Sequence, residues 1–186
     1  MNVYDFDKTI CFQDSTFAFW KYCVLRKPWL VLLLPIQCIG SIPYCLKLTK
    51  KLNAWWMYIR FVNVNDTMIK DFADKHERHI CDWYLQQKRP DDVIVSASPA
   101  FLIKEFAQRL GVTCVASDVD IETGRYHKPS CSGKEKVKQF RAVYPNAEVY
   151  ASYGNAESDQ YIMREGQHAY LVRNFSRTDA DFQQWN

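Results

Sequence analysis

Apolar residues follow two different rhythms in this chain, and the change falls near residue 90. Downstream, short apolar runs alternate with segments of helix length. Residues 93–95, 112–117, 147–151 and 169–172 read as strands. Between the first two, Ser98 reads as an N-cap, Pro99 as the first helical position, and Gly111 as the stop behind Leu110. Glu122-Thr123-Gly124-Arg125 reads as a hairpin turn. Ser132 to Lys136 opens a helix through Val137, Phe140 and Val143. The loop from Ser152 to Asp159 leads into another helix, and the chain ends polar.

Upstream, residues 2–4 form one very short apolar run, and residues 11–89 are helical without strand signals. Asp14-Ser15-Thr16 starts a helix along Phe17, Trp20 and Val24. Residues 52–62 read as an aromatic helix. Asn65 or Asp66 caps a longer one, about 67–88, whose Met68, Ile69, Phe72, Ile80, Trp83 and Tyr84 fall mostly on one face. His76 and His79 are three residues apart, not four as in HExxH zinc proteases, and are expected on a solvated, charged face.

Strand–helix alternation after residue 90 predicts an α/β fold with a mostly parallel sheet. The expected architecture is a small doubly wound, Rossmann-like core built from residues 1–10 and 90–186. An all-helical cap, residues 11–89, interrupts it right after the first strand.

One segment stands apart. Nineteen residues, opened by Pro28 and closed by Leu46, carry no charge, with Arg26 and Lys27 before them and Lys47, Lys50 and Lys51 after. Length and composition suit a membrane span. Pro35, Gly40 and Pro43 break a continuous helix, and a single crossing would separate residue 5 from the later polar clusters. Two readings remain: a broken hairpin lying in a membrane interface with basic flanks near headgroups, or the apolar core of a helical insert.

The composition is that of a globular protein with a real core: 48% hydrophobic and 24% charged. A net charge of +3 gives no argument for nucleic acid. Seven cysteines without a CxxC pair suggest reduced thiols in a cytoplasmic compartment. The N-terminus has no basic region followed by an apolar one, so no signal peptide is expected.

The candidate chemistry starts at Asp5-Phe6-Asp7-Lys8-Thr9. Two carboxylates two residues apart leave the first strand at the sheet edge where α/β proteins gather ligands. A carboxylate there can attack phosphorus, and its neighbour can exchange protons with leaving group and water. The same residues also suit a plain surface turn. Ser96 ends the next strand, before a turn and helix of the kind that present N–H groups to an anion.

These residues resemble the haloacid dehalogenase superfamily of phosphohydrolases over the whole chain. Asp5-Phe6-Asp7-Lys8-Thr9 matches its DxDxT motif, Ser96 the second motif, Lys134 the third, and Gly154-Asn155-Ala156-Glu157-Ser158-Asp159 the fourth, usually GDxxxD. The cap placement is similar to the branch containing phosphoserine phosphatase and the C-type phosphatidylglycerophosphatase, and the early apolar stretch is more like the latter. The resemblance implies Asp5 as nucleophile and Asp7 as acid/base. Thr9, Ser96, Ala97 and Lys134 would bind the phosphoryl group. Magnesium would bind through Asp5, the Asp7 backbone carbonyl, Asn155 and Asp159. Asn155 departs from the family's aspartate and brings no negative charge, so weaker metal binding follows, and a non-catalytic binding or regulatory protein stays open. Asp14 stands where phosphoserine enzymes read the substrate amine, and equally where a helix cap belongs.

The implied reaction is magnesium-dependent phosphomonoester hydrolysis. The substrate is a lipid phosphate such as phosphatidylglycerophosphate or a soluble phosphorylated small molecule. The implied place is the cytoplasm, with peripheral membrane contact through the segment from Pro28 to Leu46 in the lipid case.

Overall fold

The structure is a computed structural model that describes residues 1–51 and 53–185. Among these, β1 (Asn2–Tyr4), β2 (Val93–Pro99), β3 (Thr113–Ser117), β4 (Val149–Gly154), β5 (Gly166–Asn174) and β6 (Ala180–Gln184) form one sheet, ordered β3-β2-β1-β4-β5-β6. The first five strands run parallel, and β6 is antiparallel to β5. β1 has only three residues, all buried, because it is sandwiched: Val3 registers with Val93 on one side and Ser152 on the other. A strand with neighbours on both edges and covered faces needs no alternation.

The mostly parallel α/β sheet is the expected one, with two differences at its far side. β4 runs to Gly154, past the apolar stretch, because backbone pairing with both neighbours carries it through Ser152 and Tyr153. β6 was hidden in the polar end. It is an edge strand, largely exposed, held by ladder hydrogen bonds to β5 rather than by a buried face.

Helices α1 (Ser15–Arg26), α2 (Leu34–Cys45), α3 (Asn53–Trp56), α4 (Ile59–Val62), α5 (Asp66–His76) and α6 (Asp82–Gln87) lie between β1 and β2. Asp14 caps α1, accepting from Phe17 N–H at 2.9 Å. Asn65 caps α5, accepting from Met68 N–H at 3.0 Å. The single helix expected over 67–88 is two. The chain breaks at Ile80-Cys81, where Cys81 N–H donates to Ile10 O at 2.8 Å and Cys11 forms a bridge with Ile80. The aromatic helix expected over 52–62 is likewise α3 and α4, with the buried Tyr58 between them; Leu52 lies outside the described residues.

The remaining helices, α7 (Ala100–Leu110), α8 (Lys134–Val143) and α9 (Gln160–Met163), follow strands as expected. One apolar cluster joins insert and sheet: Phe19, Phe72 and Tyr84 pack with Tyr4, Phe6 and Phe106. The Tyr4 ring stacks on Tyr153 at 4.7 Å and meets Tyr84 edge-on at 4.9 Å.

Residues Pro28–Cys45 are not the insert's apolar core, because only 11% of them are buried. They form a 3-10 turn, Pro28–Leu33, followed by α2. The break falls just before Pro35, which sits in the first turn of α2, where its missing N–H costs nothing. Gly40 and Pro43 lie inside α2 and do not end it.

His76 is not on a solvated face. It is 3% exposed, stacked on Phe72 at 4.9 Å, with Nε2 3.5 Å from Cys11 Sγ. The i, i+4 step from Phe72 to His76 puts both on the buried side of α5. Burial, helped by His79 and Arg78, lowers its pKa to about 4, so the folded protein holds it neutral. An unfolded chain takes up the proton near pH 6.5. Stability contributed by neutral His76 is therefore complete above pH 6.5 and is lost as pH falls toward 4, up to about 3 kcal/mol. Urea unfolding of wild type and His76→Gln should show a steeper loss in wild type across that window; parallel curves would refute the assignment.

Candidate active site

The strand order turns around at β1, with β2 and β3 on one side and β4, β5 and β6 on the other. The carboxyl ends of strands at such a switch point open a crevice. Asp5 stands in it directly behind β1, its N–H donating to Tyr153 O of β4 at 2.9 Å. The next residues curl tightly. Lys8 takes a left-handed φ of 59°, and Thr9 and Cys11 N–H groups donate to Phe6 O at 3.3 and 3.0 Å. That curl returns the fully buried Thr9 to the site, where its hydroxyl donates to Asp5 Oδ2 at 3.0 Å.

The lysine of the site is Lys136, not Lys134. Lys136 Nζ donates to Asp5 Oδ1 and to Asp159 Oδ1, each at 2.5 Å, and its side chain is 2% exposed. Lys134 is exposed, its Nζ 5.6 Å from the Tyr161 ring centroid. The reason is helical phase. Lys136 is four residues before the buried Phe140 and shares its face of α8. Lys134, two residues earlier, is turned about 200° away. That period was legible in the sequence and is the signal that singles out Lys136.

Asp159 closes the far side. Its Oδ2 accepts from the N–H groups of Asn155 and Ala156 at 3.3 and 3.2 Å, so the loop after β4 wraps the carboxylate. Gly154 permits the approach, since a Cβ there would lie 2.6 Å from Asp159 Cβ. Asn155 lines the same cavity.

Asp7 is held from two sides. Oδ1 accepts from Ser15 N–H in the first turn of α1 at 2.6 Å, and Oδ2 accepts from the Ser98 hydroxyl. Ser98 is therefore no N-cap: Pro99 takes that position, and the Ser98 hydroxyl instead joins Asp7 and, at 2.7 Å, Thr16 Oγ1. Ser96 is fully buried, its oxygen accepting from Ser98 N–H at 3.1 Å, and supports this wall from behind. Ala97 and Asp14 reach the cavity surface, so Asp14 both caps α1 and faces the site.

Asp5, Asp7, Ala97, Lys136, Asn155 and Asp159 thus line one cavity of about 360 Å³. Its outer wall comes from residues without a motif: Tyr44 at the end of α2, Trp56 of α3, and Tyr126 and Ser130 from the segment after β3. The expected turn at 122–125 sets this wall. Gly124 (φ 67°) packs on the Trp56 backbone, where a Cβ would lie 2.0 Å from Trp56 O. Trp56 Nε1 donates to Tyr126 Oη at 3.3 Å. Aromatic residues in a helical insert give no sequence cue that separates this wall from ordinary core.

Three carboxylates around one buried ammonium make the cavity electronegative. Burial pushes the Asp5 carboxyl up to about 7, against the pull of Lys136 and with a further push from Asp159. Burial alone would lower the Lys136 ammonium, but its contacts with Asp5 and Asp159 outweigh that and hold it above the ordinary lysine value. Burial also raises Asp7, opposed by the hydrogen bonds from Ser15 and Ser98.

Among the described residues, no cluster of three or more His, Cys, Asp or Glu side chains has metal-holding geometry. Lys136 takes one oxygen from each of Asp5 and Asp159. A cation here would draw on a sparse set of oxygens: the Asp5 carboxylate, the Asp7 carbonyl, the Asn155 amide and Asp159, whose Oδ2 already accepts from the Asn155 and Ala156 N–H groups. Hard oxygen donors with few free carboxylates suit magnesium, which keeps several waters, better than zinc.

The fold and cavity define an α/β protein with a buried carboxylate, Asp5, at the tip of β1. Residues 3–164 match the model of the haloacid dehalogenase-like hydrolase family, and the chain belongs to that family. Among solved structures, it is similar to a Bordetella pertussis protein of unknown function, with 16% identity over 87% of this chain and 84% of that one and a TM-score of 0.61. It is also similar to a phosphoserine phosphohydrolase-like protein from Francisella tularensis, with 17% identity over 89% and 83% and a TM-score of 0.55. A Salmonella enterica HAD family hydrolase gives 10% identity over 88% and 59% and a TM-score of 0.59. At such identities the likeness is one of fold. No curated protein matches the chain.

Proposed function

We propose that this hydrolase cleaves phosphomonoesters in a magnesium-dependent reaction through a phosphoryl group carried on Asp5. The observation that carries the reading is the Asp5–Lys136–Asp159 clamp at the tip of β1, with Asp7 beside it in the same cavity. Asp5 attacks phosphorus, the ester P–O bond breaks, and the leaving oxygen takes a proton from the Asp7 carboxyl. Burial favours the protonated form of Asp7 that this step requires. In the second step Asp7 accepts a proton from water as the water oxygen attacks phosphorus, releasing phosphate and restoring Asp5. Lys136 fixes the attacking carboxylate and offsets charge on the transferring group. Thr9 orients the other Asp5 oxygen. Magnesium, held by Asp5, the Asp7 carbonyl, Asn155 and Asp159, would supply further positive charge at the phosphoryl oxygens.

Two substrate classes fit the cavity's chemistry: a soluble phosphate ester of the phosphoserine type, with Asp14 facing an amine, and a lipid phosphate such as phosphatidylglycerophosphate, whose headgroup would enter from a membrane. The second reading places the protein in the cytoplasm against the membrane surface, and the division into core and cap at residues 10 and 90 would assign substrate choice to the insert. Asn155 supports a third reading, a binding protein with a weakened metal site.

The test is hydrolysis of p-nitrophenyl phosphate with a magnesium titration and an EDTA control. Activity that rises with magnesium and vanishes with chelator is the expected result. Undiminished activity in EDTA would remove the metal from the account, and no activity with any phosphate ester would favour the binding protein.

A further inference from the structure

We propose that the outer face of the insert is a docking surface for an anionic lipid bilayer, with α2 lying in the plane of the interface over the cavity's outer wall. The first observation is exposure. Leu32, Ile36, Ile39, Ile42 and Leu46 are 76, 54, 67, 50 and 63% exposed. They recur every three or four residues, so they form one stripe along the 3-10 turn and α2. Trp29 joins the stripe near its start at 45% exposure. A contiguous apolar stripe of this kind on a globular surface marks an interaction site. The opposite side of the same segment is what packs on the protein: Leu30 and Gln37 are fully buried.

The second observation is charge. Residues 15–65 hold seven of the chain's 24 lysines and arginines and none of its 21 aspartates and glutamates. Within a chain of net charge +3, the stretch of sequence that holds the apolar stripe is thus wholly cationic in its charged residues. Lys27 lies at one end and Lys47 and Lys51 at the other, where they flank an apolar surface as interfacial segments do. Some of these cations are partly used: Arg26 meets Asp71, Lys50 meets Glu135, and Lys27 donates to Phe61 O. Lys47 and Lys51 approach no carboxylate among the described ion pairs. This complementarity selects an anionic bilayer over a neutral apolar partner.

The third observation is geometry. By length and composition the 18 residues Pro28–Cys45 are enough to cross a membrane, so the path of the chain decides. Both ends of the segment return to the same body. At the near end Lys27 N–H donates to Cys23 O of α1 at 2.9 Å, and at the far end Ser130 N–H donates to Lys50 O at 2.8 Å. The segment therefore lies on a membrane and does not cross it. Tyr44, seven residues after the buried Gln37 and so on the protein-facing side of α2, lines the catalytic cavity, so a bilayer on the stripe would lie over the cavity's outer wall. The corollary that the site takes its phosphomonoester from the bilayer rests on the phosphatase reading; the docking does not.

The experiment is flotation of the full chain with vesicles of pure phosphatidylcholine and of phosphatidylcholine with phosphatidylglycerol, at low and high salt. Wild type should float with the anionic vesicles, and less so in high salt. The triple variant Leu32→Gln, Ile36→Gln, Ile39→Gln changes only exposed side chains and should bind at least tenfold more weakly, with p-nitrophenyl phosphate hydrolysis within twofold of wild type. A second variant, Lys47→Glu, should lower binding to anionic vesicles by roughly tenfold while keeping the stripe intact. No flotation of wild type, or flotation equal in the triple variant, overturns the proposal. So does a wild-type dimer in light scattering that the triple variant breaks while neither floats, since the stripe would then join two copies of the chain. Binding without hydrolysis of any phosphate ester would leave the docking standing and fail the phosphatase reading instead.

Discussion

Asp5→Asn should lower magnesium-dependent hydrolysis of p-nitrophenyl phosphate by at least about 10³-fold, the scale on which loss of a nucleophile acts in other enzymes. The amide has the shape of the carboxylate but neither its negative charge nor its nucleophilicity, so no acyl phosphate forms. The fold should survive. Lys136 keeps Asp159 and the amide oxygen as partners, and the Thr9 hydroxyl oxygen can accept from the amide N–H. Stability should even hold level or rise. Burial pushes the Asp5 carboxyl up to about 7, so the charged form is held against a desolvation cost that an amide does not share. A reacting group held at a cost to stability is common in active sites. Thermal unfolding at pH 8, where wild-type Asp5 is largely charged, should give a melting temperature equal to or above wild type. Activity within tenfold of wild type would end the nucleophile assignment, whatever the stability.

Lys136→Met should cost about 3–5 kcal/mol of stability at neutral pH together with activity, because it leaves two buried carboxylates facing each other. Asp5 and Asp159 side chains are only 9% and 4% exposed, so water does not replace the ammonium. In the variant Asp5, already raised by burial, would lose the pull of Lys136 and rise further above its unfolded value. Its destabilising effect is then full at high pH and relieved as pH falls and it takes up a proton. The variant should therefore approach wild-type stability toward pH 5, and urea unfolding at pH 5 and 8 checks it. Lys134→Met is the control. Its exposed ammonium bonds no carboxylate among the described ion pairs, so stability should change by less than about 0.5 kcal/mol and activity by less than twofold. A loss of activity on Lys134→Met with none on Lys136→Met would reverse the two roles.

The contrast between those lysines shows what was legible in the sequence. Asp5 could be located because an apolar strand, however short, must end at the sheet edge, and two carboxylates follow it directly. The lysine depends on helical phase. A motif match two residues early put the ammonium on the wrong side of α8, though the buried partner Phe140 was in view. Ser98 was legible only as a cap because its other role, holding Asp7, depends on a contact across 91 residues. β6 has no buried face and so no periodicity to read. The segment from Pro28 to Leu46 was apolar enough for either core or interface. Only its exposure in the fold separates the two, since composition does not say which neighbours a helix has. The alternating half of the chain was read more fully because parallel strands, buried on both faces, announce themselves as apolar runs.

The account stands most directly on where the phosphoryl group goes during turnover. Wild-type protein mixed with a phosphate ester, quenched rapidly and treated with borohydride should convert an acyl phosphate at residue 5 to homoserine, read by peptide mass mapping. Homoserine at position 5, absent without substrate, is the result expected. Homoserine at Asp7 or Asp159 instead, or none anywhere while phosphate is being released in a burst, would contradict it.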